Sequence, residues 1–137
     1  MHFDEQNVSY LQLIDKSKKK NDSLRIHRIY PSDTRLVKRL DVYSNTSSEG
    51  MTTDSCWLFK EVKGKINGYT FIPNPGKLHA GYLKFVQKDD GPLLAFSPSP
   101  LRDMVYDNEK AKMKRRSGKA YEAILQYNKD SAKKKED

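Results

Sequence analysis

The pattern of apolar and polar positions is clearest in residues 55–97, where apolar and aromatic runs alternate with short clusters of turn-forming residues. Consecutive β-hairpins produce this alternation. Pro75-Gly76 suits the two central positions of a type II turn, and residues 89–91, Asp-Asp-Gly, mark another turn. The segment is therefore predicted to form an antiparallel β-meander around which the rest of the chain is organised.

The first turn of this meander has two candidates. Asn67-Gly68 is a strong signal for a two-residue turn, but Pro73 would leave its return strand short. A turn at residues 63–65 places aromatic side chains of the two strands opposite one another, and we prefer it. We interpret the large aromatic residues of these strands as core rather than as an exposed stacking platform: Trp57, Phe59, Tyr69 and Phe71.

The chain before the meander is less regular. Residues 8–16 fit either a short helix or a strand, and their pattern leaves this open. Residues 24–30 alternate apolar and polar side chains, which predicts a strand. Pro31 ends that strand because proline has no N–H group for the ladder.

Residues 31–53 connect this strand to the meander. We favour a short helix capped by Ser32 or Asp33 that leads into a strand at residues 41–44. The alternative is a strand whose apolar face is interrupted by Lys38. Residues 45–53 have strong turn composition and are predicted to form a loop.

The C-terminal part is predicted to be helical. Ser99 is the expected N-cap with Pro100 at the first helical position, and Ser117-Gly118 is expected to separate two helices. Residues 132–137 are expected to fray. The second helix has an apolar stripe at helical spacing: Ala120, Tyr121, Ile124 and Leu125.

These elements together predict a single α+β domain over residues 1–137, an antiparallel meander of four to six strands with C-terminal helices. Residues 1–23 would hold an N-terminal element and a lysine-rich loop. Residues 24–98 would form the β-rich core, and residues 99–137 a basic helical region with a frayed C-terminus.

The composition narrows the class of protein. No apolar run approaches the roughly 18 residues that a membrane span needs, and no N-terminal secretory signal is visible. Cys56 is the single cysteine, so an internal disulfide is impossible. The sequence contains only three histidines in addition to this cysteine, so neither a metal site nor a cofactor is expected. These features predict a cytoplasmic (intracellular) protein with no membrane partner.

The net charge of +8 lies at the two ends of the chain. Residues 1–40 and 99–137 each carry a balance of +4, whereas residues 41–98 are neutral. Cationic side chains bind phosphates with release of counterions. The sequence therefore predicts a small accessory protein, of the kind that phages and mobile elements encode, that binds DNA or RNA without catalysis. The expected contacts are Lys18, Lys19, Lys20, Arg25, Arg28, Tyr82, Lys84, Lys110, Lys112, Lys114, Arg115, Arg116 and Lys119.

Two alternatives stay open. The basic ends could bind an acidic protein partner, as an interaction module or an inhibitor does. Asp41, followed after nineteen residues by Glu61-Val62-Lys63, resembles the PD-(D/E)xK nuclease motif, in which two carboxylates hold Mg²⁺ beside a lysine. Leu40 stands where that motif has proline, and the alternating α/β pattern of that family is missing, so the nuclease is the least favoured function.

Overall fold

A computed structural model describes residues 2–41, 43, 45–71 and 83–136 of the chain. The fold is α+β, as predicted, with a three-stranded sheet, a six-stranded antiparallel sheet and three helices. The chain divides into two compact units, residues 1–59 and residues 60–137, here called the N-terminal and C-terminal units. The prediction of a single domain stays a prediction.

The strands follow one another in sequence order within each sheet. The three-stranded sheet consists of β1 (His2–Phe3), β2 (Ser9–Ile14) and β3 (Ile26–Ile29). The six-stranded sheet consists of β4 (Leu36–Asp41), β5 (Thr46–Thr52), β6 (Trp57–Val62), β7 (Ile66–Thr70), β8 (Phe85–Lys88) and β9 (Leu94–Ala95). The helices are α1 (Pro98–Met104), α2 (Glu109–Arg116) and α3 (Ala120–Glu136).

The N-terminal unit is organised around Trp57, which is fully buried. Its indole Nε1 donates a hydrogen bond of 2.9 Å to the hydroxyl of Thr34, so the one polar atom of the ring is satisfied. Cys56 and Phe59, which are close to Trp57 in the sequence, are also buried. The interpretation of the aromatic residues as core is confirmed for Trp57, Phe59 and Tyr69, and Phe71 is half-buried.

The C-terminal unit has a continuous apolar core that joins β6–β8 to all three helices. The strands contribute Val62, Ile66 and Val86, Leu83 precedes β8, and the helical region contributes Leu101, Met104, Val105, Ala111, Ala123, Ile124 and Tyr127. Of the apolar stripe predicted for the second helix, Ile124 is buried and Ala120 and Tyr121 pack against this core, whereas Leu125 is 43% exposed.

The turn between β6 and β7 lies at residues 63–65, as we preferred. The carboxamide oxygen of Asn67 accepts a hydrogen bond from the Gly64 N–H, so Asn67 supports this turn rather than forming its own. The predicted turn at Pro75-Gly76 lies outside the described residues.

The prediction for residues 31–53 is wrong. A single 3-10 turn, Pro31–Asp33, replaces the expected short helix, and residues 36–41 form β4. The expected loop at residues 45–53 is largely β5, which pairs with β4 from Leu36 opposite Met51 to Asp41 opposite Thr46. Strand pairing has overridden the local turn composition of β5, because the ladder satisfies its backbone hydrogen-bonding groups.

The start of the helical region also differs from the prediction. Ser97 is the N-cap of α1 and Pro98 the first helical residue, two positions before the expected Ser99 and Pro100. The break at Ser117-Gly118 is confirmed, and Gly118 has a φ of 78°, a conformation that favours glycine. The helix α3 continues to Glu136, and the expected fraying of its end stays a prediction.

Candidate nucleic-acid interface

The excess positive charge lies almost entirely in the C-terminal unit. Residues 60–137 contain 17 Lys and Arg against 10 Asp and Glu, whereas residues 1–59 contain nine against eight. The helices α2 and α3 with their connection, residues 109–136, hold ten basic and four acidic residues. This α2–α3 pair is therefore the principal cationic element of the described structure.

Both ends of the helix α2 carry side chains that stabilise helix termini. The side chain of Asn108 caps its start by accepting a hydrogen bond of 2.9 Å from the Ala111 N–H. Glu109 lies in the first turn, and the cations of the last turn suit the negative end of the helix dipole. Ala111 is the buried residue of α2, so a methyl group faces the core and the long side chains occupy the rest of the circumference.

The predicted contacts on α2 differ in how accessible they are. Lys110, Arg116 and, just after the helix, Lys119 are exposed, whereas the side chains of Lys112, Lys114 and Arg115 are half-buried. Lys112 is bound to the carboxylate of Glu109, and this contact lowers the pKa of Glu109.

Arg115 is the least suitable of these predicted contacts. Its Nε is buried and has no hydrogen-bond partner among the described residues. Lys110, Lys114, Arg116 and Lys119 are thus the better candidates for binding phosphate.

The helix α3 runs antiparallel to α2 and brings further cations close to the first turn of α2. The carboxamide of Asn108 donates a 3.0 Å hydrogen bond to Asp130 on α3. Hydrogen bonds from Gln126 and Asn108, with the charges of Lys110 and Lys133 nearby, hold the pKa of Asp130 below its usual value. Lys133, which was not among the predicted contacts, is therefore a further candidate for binding phosphate.

Three further lysines, together with the carboxylates of Asp107 and Asp130, line a cavity of about 280 Å³ in the same unit: Lys65, Lys134 and Lys135. Along α3, Ser131 and then Lys134 and Lys135 continue the stripe that carries Tyr127 to the core. We call this cavity the lysine cleft. The sequence contains the signal for it, since these positions follow Tyr127 at spacings of four, seven and eight residues.

Two residues that line the lysine cleft, Asp107 and Tyr127, contact each other and Lys88. The Lys88 ammonium donates to the Met104 carbonyl at 2.8 Å, lies 3.6 Å from a carboxylate oxygen of Asp107, and sits 4.7 Å from the ring centroid of Tyr127. Tyr127 donates to Asp107 at 3.1 Å.

These contacts also set the charge state of the two ionisable partners. Burial disfavours ionisation of Asp107, but the Tyr127 hydroxyl and the Lys88 charge outweigh it and lower its pKa. Burial likewise opposes the charge of Lys88, yet its contacts with Tyr127 and Asp107 leave its pKa raised.

The predicted contacts of the N-terminal unit lie on and beside the β2–β3 hairpin. Lys18, Lys19 and Lys20 are in the connecting loop, where Lys18 is half-buried and the other two are exposed. Arg25 is half-buried in the 3-10 turn before β3, and Arg28 is exposed on β3.

The last two predicted contacts precede β8. Lys84 is exposed, and its backbone is fixed by hydrogen bonds with Tyr69 and Phe96. Tyr82 lies outside the described residues, so its predicted contact stays a prediction.

The residues of the nuclease hypothesis are only partly described. Glu61 is half-buried near the end of β6 and Lys63 is exposed in the following turn, but the side chain of Asp41 lies outside the description. Among the described side chains, no group of three or more His, Cys, Asp and Glu residues is placed to hold a metal ion. The nuclease stays an untested alternative.

Comparison with known proteins yields no relative. No protein-family model, no curated protein and no solved structure matches this chain. Within the described residues, no helix combines the length and apolar character needed to cross a membrane.

Proposed function

We propose that this protein binds nucleic acid through its phosphates, without catalysis, and that the α2–α3 pair with the lysine cleft is the main contact surface. The observation that carries this proposal is the concentration of ten basic residues on two antiparallel helices and their short connection. In the described part of the chain, Lys112 is the one α2 cation held in an ion pair. Lys110, Lys114 and Arg116 are therefore the α2 cations best placed for an external anion.

Phosphate binding fits this surface better than base reading does. Lysine ammonium groups are point charges on flexible stems, and they contact backbone phosphates without discriminating between bases. The cations also lie on several sides of α2 rather than along one edge that could enter a groove. Binding is therefore expected to depend strongly on salt and weakly on sequence.

The test is a binding titration with the double variant Lys110→Gln/Lys114→Gln, which removes two cations from one side of α2. Its matched control is Lys38→Gln/Arg102→Gln, because both of these exposed cations are already paired, with Glu49 and Asp103. The α2 variant should weaken binding to several unrelated duplex sequences to a similar extent, and the control should bind like the wild type. Equal behaviour of the two variants would reject this surface.

A protein partner is the second candidate, and one feature of β4 and β5 favours it. Leu36, Leu40 and Met51 are exposed on one face of this hairpin, with Leu40 72% exposed, and β4 is the edge strand of its sheet. An exposed apolar edge is suited to pairing with another chain. Wild-type protein that fails to bind any nucleic acid at low salt would make this candidate the leading one.

A further inference from the structure

The β1–β3 sheet presents a face that the phosphate-binding proposal does not use. His2 pairs with Tyr10, Gln12 with Arg28, and Ile14 with Ile26. Two residues directly paired in an antiparallel ladder lie on the same face of the sheet, and every second residue of each strand lies on that face too. The face therefore carries these six side chains, and Tyr30 follows at the end of β3. We call it the stacking face.

Planar groups are packed against one another at one end of the stacking face. The rings of His2 and Tyr10 are stacked, with centroids 5.3 Å apart and planes at 23°. The Arg28 guanidinium carbon lies 4.5 Å from the Tyr10 ring centroid, and the Tyr30 ring lies 5.8 Å from Tyr10. The proximity of Tyr30 and Tyr10 raises the pKa of Arg28.

The surroundings of these rings suit the edge of a nucleobase. A cleft of about 380 Å³ is lined by Tyr10, Arg28 and the polar residues Asp4, Glu5 and Gln6. Carboxylate and carboxamide oxygens accept hydrogen bonds from the exocyclic amino groups of bases. One Asp4 oxygen already accepts from the backbone N–H groups of Gln6 and Val8, which fixes its orientation.

The other end of the stacking face is apolar and then cationic. Ile14 and Ile26 are a directly opposed pair, 49% and 50% exposed, whereas a solvated sheet face is ordinarily polar. Lys16 and residues 18–20, all lysine, follow in the β2–β3 loop. The acidic residue at the start of this loop, Asp15, is occupied by hydrogen bonds from Ser17.

We infer that the stacking face binds the unpaired bases of single-stranded nucleic acid, with base rings on the exposed His2 ring and Arg28 guanidinium, which Tyr10 supports between them, and phosphates on the lysines of the loop. Base stacking on aromatic and guanidinium planes, combined with nearby cations, is the usual way in which proteins hold single strands. A duplex hides its base faces, so this site adds a preference for single strands that the α2–α3 pair does not provide.

The experiment uses the full-length protein and fluorescence anisotropy with a labelled single-stranded oligothymidine, a labelled duplex of equal length and vesicles containing phosphatidylserine. The variant Tyr10→Leu keeps an apolar side chain but removes the ring, and Tyr10→Phe keeps the ring. Arg28→Lys keeps the charge and removes the plane. Melting temperature monitors the fold of each variant.

Tyr10→Leu and Arg28→Lys should each weaken single-strand binding by about 5- to 10-fold, since one stacked base contributes at least a fivefold effect. Tyr10→Phe should bind like the wild type, and duplex binding should not change in any of them. Wild-type affinity in both Tyr10→Leu and Arg28→Lys would overturn the inference. So would phosphatidylserine binding that these substitutions weaken while single-strand binding is unchanged, because the face would then be a lipid contact.

These outcomes are independent of the main proposal. The α2 variant Lys110→Gln/Lys114→Gln tests the phosphate-binding surface, and the Tyr10 and Arg28 variants test the stacking face. If the protein does not bind duplex DNA but binds single strands in a way that depends on Tyr10, the phosphate-binding surface is rejected and the stacking face is supported. Duplex binding that depends on α2, with single strands bound no differently in the Tyr10 and Arg28 variants, would do the reverse.

Discussion

At the scale of single residues, Asn128 connects α3 to the β6–β7 hairpin. Its carboxamide oxygen accepts from the Ile66 N–H at 2.7 Å, and its carboxamide nitrogen donates to the Ile66 carbonyl at 2.8 Å. Ile66 is fully buried, so no water replaces these bonds. The side chain also packs on Gly64, where an added Cβ would come within 2.4 Å of it.

Asn128→Ala should therefore lower the free energy of unfolding by about 2 kcal/mol, because it leaves two buried backbone groups without partners. Lys129→Ala is the matched control, since Lys129 is the next residue of α3 and is exposed. Urea denaturation measures both. A loss no larger in Asn128→Ala than in Lys129→Ala would show that the bonds to Ile66 add nothing to stability.

Asp107 gives the C-terminal unit a pH dependence. Because its pKa is lowered by folding, its ionised form stabilises the native state above the usual carboxyl range, and this contribution is lost as the pH falls below about 4. The pKa of Lys88 is raised, so its charged form stabilises the native state at acidic and neutral pH, and this stabilisation is lost only at strongly alkaline pH.

Asp107→Asn should thus be less stable than the wild type at pH 7 and should lose less additional stability between pH 6 and pH 3. Thermal melting across this range measures both effects. Tyr127→Phe, which removes the hydrogen bond and keeps the carboxylate, should give an intermediate profile. Parallel pH profiles for wild type and Asp107→Asn would contradict the role assigned to Asp107.

At the scale of elements, the β4–β5 hairpin is the part that the sequence pattern misses. Pairing between strands that are weak on their own is decided by contacts distant in sequence, and local composition does not report them. Gly50 shows such a contact, because a Cβ there would lie 2.8 Å from the ring of Phe59 and 2.9 Å from Val37. The strand β5 needs a residue without a side chain at this point.

Gly50→Ala should cost about 1–3 kcal/mol of stability, since the buried ring of Phe59 leaves no space for the added methyl group. Ser47→Ala, at an exposed position of the same strand, is the control. Thermal melting compares them. If Gly50→Ala melts at the wild-type temperature, the packing of Phe59 on β5 is looser than described.

The helices and the meander were more predictable than this hairpin. Their apolar positions recur at spacings close to 3.6 or 2, and Ser117-Gly118 interrupts the helices with a residue that needs positive φ. The N-cap was misplaced by two residues because Ser97-Pro98 and Ser99-Pro100 carry the same local signal. Packing of Leu101 and Met104 into the core distinguishes them.

At the scale of the whole molecule, the fold class and the basic character follow from the sequence, but the location of the charge does not. Half of the excess charge appeared to belong to residues 1–40. The structure groups these residues with Asp41, Glu49 and Asp54, which leaves the N-terminal unit nearly neutral. The lysine cleft was also missed, because Lys65 is brought to it from a different part of the chain.

The central claim, that cations of α2 and α3 bind phosphates, is tested most directly by the salt dependence of duplex DNA binding. The logarithm of the wild-type association constant should fall linearly with the logarithm of salt concentration. In Lys110→Gln/Lys114→Gln the slope should be shallower by about 1.8, since each lost phosphate contact removes about 0.9. A slope in this variant equal to that of the wild type and of Lys38→Gln/Arg102→Gln would contradict the claim.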